Sequence, residues 1–120
     1  MKLAITLSAL IIIGIFGGTT APAQASGECE HHAATIESLR HCVEHASMMG
    51  HIDNEGVANS LLAKLSAAQA AVNRGEPDVA ANILAAFVSE VQAQSGQHIA
   101  TEHAGHMAMH AEQVIDALLP

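Results

Sequence analysis

Between Gly56 and Ile99 the chain reads as two amphipathic helices separated by one short break, and this pairing constrains what the rest can do. Val57, Leu61, Leu65, Ala68 and Val72 recur at helical spacing, and a second series continues beyond the break with Ile83, Phe87 and Val91. The break itself, Arg74-Gly75-Glu76-Pro77, carries stop and start chemistry in order. Gly75 can adopt the left-handed conformation that ends a helix, and Pro77 suits a first helical turn, where a missing N–H costs nothing. So short a connection makes the two helices antiparallel neighbours. Each has one apolar stripe and one face of Ala, Asn, Gln and Ser, so the pair leaves apolar surface that the remaining chain must cover.

That remainder begins with a segment to set aside. Lys2 precedes an apolar run from Leu3 to Phe16, followed by Gly17-Gly18-Thr19-Thr20 and Ala23-Gln24-Ala25. A charged start, a short apolar middle and a small-residue end spell a secretory signal with cleavage after Ala25. A membrane span needs roughly 20 apolar residues, and this run is shorter and broken by Gly14. We therefore read residues 1–25 as a signal peptide, 26–33 as an N-terminal arm and 34–120 as one helical domain, exported to the periplasm or outside the cell.

In that domain a first helix is expected from Ala34 to Met49, with Ile36, Leu39, Val43 and Ala46 inward and Gly50 as its stop. The second should start at an Asp53 cap, with Ile52 and Val57 as a hydrophobic staple, and run to about Asn73. The third spans Pro77 to about Gln94. The fourth has Thr101 as its cap and a stripe of Ala104, Met107, Ala108, Ala111, Val114, Ile115 and Leu118, ending at Pro120. No strand pattern appears. The economical architecture is all-α, a small antiparallel up-down bundle of four helices. Leu61, Leu65, Ile83, Phe87, Val91, Val114 and Ile115 should be buried in it.

Lys2 is the sole charge before Ala25, so the part that follows holds 12 acidic residues against Arg40, Lys64 and Arg74, a formal charge of −9. Such a surface repels phosphate backbones and anionic lipid, so neither nucleic acid nor a membrane is expected as a partner. Phe16 and Phe87 are the only aromatics, which argues against the exposed rings that stack on sugars or bases.

At Ser60-Leu61, Lys64-Leu65, Asn82, Leu84, Ala86-Phe87, Val91, Ala93-Gln94-Ser95-Gly96 and Ile99 the chain resembles the FIMAH domain. The resemblance covers about Gly50 to Leu118, and its AFxxxVxAQSGxxI portion is its most specific part. The family is a small helical module, typically at the end of larger secreted or surface bacterial proteins, with no agreed biochemical activity. The resemblance implies an interaction or attachment role outside the cytoplasm with an unidentified protein or surface partner, not catalysis. A Cys- and His-rich lead-in from Cys29 to His51 departs from the family pattern.

All nine histidines follow Ala25, and they supply a second reading, a His-rich extracytoplasmic metal-binding protein for Cu, Ni, Zn or Co. His41 and His45 are four apart and project from one helical face, opposite the buried stripe. His103, His106 and His110 are spaced three and four apart, a ridge along the edge of the last helix's apolar stripe. A metal would take His106 with either neighbour and a ligand from elsewhere, His98 and Glu102 being nearest in sequence. The plainer account of both sets is a solvated face or boundary, each ring body lying on apolar surface and its polar edge in water. Met48-Met49 and outward-facing Met109 add thioethers of the kind copper-handling segments use; Met107 belongs to the core.

Cys29 and Cys42 are the only cysteines, and an exported chain meets an oxidising compartment. A bridge between them would close a loop of about 14 residues, worth roughly 3 kcal/mol in the chain-entropy model. Cys42 with His45 could also be written as a nucleophile and base, but a bridged thiol is no nucleophile, and no oxyanion-binding turn or paired carboxylates accompany it. No catalytic residue is assigned.

Overall fold

The structure is a computed structural model that describes residues 33–120. The expected signal peptide, the arm to His32 and Cys29 lie outside the described residues. Four helices follow in order: α1 Ile36–Met48, α2 Glu55–Asn73, α3 Pro77–Gln94 and α4 Thr101–Leu118. Among the described residues the extended backbone amounts to isolated bridges, so the fold is all-α.

The helix ends show why the boundaries fall where they do. Two of the stops are Schellman motifs. After α1, Gly50 N–H donates to Ser47 O (3.2 Å) and His51 N–H to Ala46 O (2.8 Å). After α2, Gly75 N–H donates to Val72 O and Glu76 N–H to Ala71 O, both at 2.9 Å. Each motif needs a residue at positive φ, supplied by Gly50 at 86° and Gly75 at 77°. Pro77 then opens α3.

Three starts differ from the sequence expectation. α1 begins at Ile36 rather than Ala34, because the Thr35 hydroxyl accepts from Ser38 N–H at 3.1 Å and fixes the cap there. α2 is capped by Asn54, whose Oδ1 accepts from Val57 N–H at 3.0 Å, and not by Asp53. Asp53 is drawn instead to His98, its Oδ1 lying 2.9 Å from the ring Nδ1. Thr101 is the first residue inside α4, and Ala100 takes the cap position with no side-chain bond.

The connections Met49–Asn54 and Ser95–Ala100 are hydrogen-bonded to each other. Asp53 N–H donates to His98 O (3.0 Å) and Ala100 N–H to His51 O (2.9 Å), with Ile52 opposite Ile99. Both connections therefore lie at one end of the bundle, and the tight Arg74–Glu76 turn lies at the other. That placement is the up-down arrangement. α1 packs on α2 and α4, and α3 packs on the same two, so the helices close into a ring.

The core is built from small side chains around one large one. Phe87 is fully enclosed, with Leu39, Leu61, Leu65, Leu84, Val91, Met107 and Val114. Ala46, Ala68, Ala71, Ala80 and Ala111 supply the close approaches between helices. Ile83 and Ile115, expected inside, are only half-buried against the core. On α3 the inward line is Ala80, Leu84, Phe87 and Val91, which turns Ile83 toward the flank. Ile52 and Ile99 plug the knitted end at 4% and 1% exposure.

Phe87→Ala should open the largest cavity this core can have, at a cost of about 3 to 5 kcal/mol, a large part of the stability of a domain this size. Urea unfolding followed by circular dichroism checks this: the midpoint should fall sharply, and a midpoint equal to the parent's would refute the α3 packing.

Candidate functional site

Three polar constellations stand out from the apolar interior. The first is buried. His110 is 6% exposed and enclosed by α1 and α4. Its Nε2 lies 3.0 Å from the carbonyl oxygen of Ala33, which can only accept, so Nε2 carries a proton and donates it. Its Nδ1 faces Cys42 Sγ at 3.7 Å, and Cys42 is itself fully buried. The two rings expected to share a metal thus part company: His106 is exposed on the surface while His110 is an interior residue. The sequence does contain the signal. His110 is three residues after Met107 and four before Val114, the spacing of the stripe itself and not of its edge.

Cys42 therefore has His110 as its neighbour, 68 positions away in sequence, rather than His45. With both side chains inside the bundle, this contact sets the middle of α1 against α4. His45, expected in solvent, is half-buried, and its Nδ1 is enclosed with no hydrogen-bond partner among the described residues. His41 is exposed, its Nε2 3.8 Å from Glu37 Oε2. His41 and His45 share a helix but not an environment.

The second constellation lies at the knitted end. His51 and His103 stack with ring centroids 3.7 Å apart and an interplanar angle of 16°. His106 stands next along α4, its centroid 6.5 Å from that of His103 and tilted by 56°. Of the two additional ligands expected from sequence, His98 is held by Asp53 through both its side chain and its backbone carbonyl, and Glu102 is exposed in the first turn of α4. Among the described residues no three His, Cys, Asp or Glu side chains are disposed to hold one metal ion.

The third constellation braces α2 to α3. Lys64 Nζ donates to Glu90 Oε1 at 2.9 Å and to Ser60 Oγ at 3.2 Å, and Ser60 in turn donates to the same carboxylate oxygen at 2.9 Å. Ser60 and Lys64 are one helical turn apart, so a single glutamate across the interface receives both. A serine beside a lysine has the composition of a nucleophile and its base, yet here both donate to Glu90, an arrangement that locks two helices.

These features define a class before they define a family: a small helical module whose described polar clusters chiefly join one helix to another. The FIMAH domain model matches residues 36–116, and the chain belongs to that family. The match begins at Ile36, so it takes in α1, which the resemblance read from Gly50 onward had left outside. No curated protein and no solved structure matches the chain. The fold also accounts for the AFxxxVxAQSGxxI signature. Phe87 and Val91 fill the core, the Gln94 carbonyl accepts from the N–H groups of Gln97, His98 and Ile99, Gly96 turns the chain at φ 79°, and Ile99 seals the end.

Proposed function

We propose that this protein is an exported, non-catalytic interaction module that acts by presenting the outer surface of its bundle to a protein or surface partner. The observation that carries the reading is the family match across all four helices. Two further features support it. The Cys42–His110 contact joins α1 to α4, and the Ser60–Lys64–Glu90 brace joins α2 to α3. FIMAH is a domain of bacterial surface proteins, which supports a location outside the cytoplasm. Cleavage after Ala25 belongs to the same reading, as does a bridge between Cys29 and Cys42, which would leave the Cys42 sulfur a packing neighbour of the His110 ring with no S–H to donate.

Mass spectrometry of the exported protein tests these last two points together. The expected species starts at Ser26 and gains the mass of two hydrogens on reduction. A chain that keeps Met1, or two thiols alkylated without reduction, would contradict them.

The histidine patch at the knitted end favours one second reading, a metal-binding protein for Cu, Ni, Zn or Co. Isothermal titration with each ion distinguishes the two. The module reading predicts no stoichiometric binding at micromolar ion. Stoichiometric binding weakened about tenfold or more by His103→Ala with His106→Ala would establish the metal reading, since loss of a ligand costs at least that much affinity.

A further inference from the structure

The charges of the bundle are unevenly spent. Each of the three basic side chains already has a carboxylate: Arg40 has Glu37 at 3.8 Å, Lys64 has Glu90 at 2.9 Å, and Arg74 has Glu76 at 2.8 Å. Asp53 is taken by His98. Glu44, Glu55, Asp78, Glu102, Glu112 and Asp116 have no ion-pair partner among the described residues. The surface therefore has carboxylates to offer a partner and few cations.

Two of these carboxylates flank an apolar groove. The second half of α1 and the first half of α2 enclose about 420 Å³ between Glu44 and Met48 on one side and Glu55, Asn59 and Leu62 on the other, with buried Ala58 as part of the floor. Met48 is 77% exposed, the most exposed large apolar side chain among the described residues. A thioether on a flexible stem repacks around different apolar shapes, which suits a contact surface. Glu44 and Glu55 place negative charge on both helices that bound the groove.

We propose that this groove receives a cationic amphipathic helix of a partner protein, its apolar side chains against Met48, Leu62 and Ala58 and its Lys or Arg side chains toward Glu44 and Glu55. The proposal rests on the module reading above and names the partner's chemistry. A helix laid in an apolar groove is an established way for proteins to meet, with anchors at helical spacing supplying affinity and flanking charges supplying orientation. Charge complementarity selects the occupant: an acidic helix would find no free cation here, and an anionic lipid surface or nucleic acid would meet the same repulsion.

The test uses two synthetic helical peptides with identical leucine faces, one with Lys and Arg on the polar face and one with Glu, titrated into the full-length protein by fluorescence anisotropy. The cationic peptide should bind and the acidic one should not. Met48→Ser, at an exposed position, should weaken binding about tenfold, as should the pair Glu44→Gln and Glu55→Gln. Glu102→Gln with Glu112→Gln changes net charge equally but lies on α4, and should leave affinity near that of the parent. Equal affinity in all variants would overturn the groove and leave a module that binds elsewhere. Absence of cationic-peptide binding would overturn the groove, and the ion titration would then decide whether the module reading falls with it. Self-association abolished by Met48→Ser would overturn the proposal in favour of a second copy of this chain as occupant.

Discussion

The backbone pairing between the Met49–Asn54 and Ser95–Ala100 connections is the constraint on which the rest of the bundle leans. Two hydrogen bonds across the connections, with Ile52 and Ile99 beneath them, fix where α1 ends, where α2 begins and where α4 sets off. Buried backbone groups need partners, and here each connection supplies the other's. The same pairing brings His51 onto His103 and His98 onto Asp53, and it sets the mouth of the α1–α2 groove by placing Met48 and Glu55 on either side of one short connection.

Small side chains set the second condition. With alanines at the helix contacts and Phe87 as the only aromatic among the described residues, the helices approach closely and each apolar residue contributes little area. Specific contacts must then hold the register. The Lys64–Glu90 brace does so for α2 and α3, and His110 does so for α1 and α4 by reaching the Ala33 carbonyl. A buried polar group whose bonds are satisfied adds specificity even where its net stabilisation is modest.

Much of this was readable from the sequence because helix punctuation is local. Gly50, Gly75 and Pro77 act on their own neighbourhoods, and the structure places them as their chemistry requires. What escaped depends on distant partners. Asp53 has the composition of a cap, but His98, 45 positions away, claims its carboxylate and leaves the role to Asn54. His110 lies at stripe spacing, yet its polarity argues for the surface until Ala33 and Cys42 are brought to its ring. Ile83 is as apolar as Leu84, and only the rotation of α3 against α2 and α4 decides which of them faces inward. The histidines likewise look alike in sequence, while the bundle sorts them into an exposed pair with Glu37, a stacked pair, and an interior residue.

The picture that results is a bundle closed at one end by its own connections, with carboxylates and methionines left facing outward. The two paired connections are part of the cooperative core and not loose loops. Native-state amide hydrogen exchange measures this at the Asp53 and Ala100 N–H groups. Both should exchange as slowly as amides in the middle of α3, through global unfolding. Exchange at the rate of an open surface loop, with the helices still protected, would contradict it.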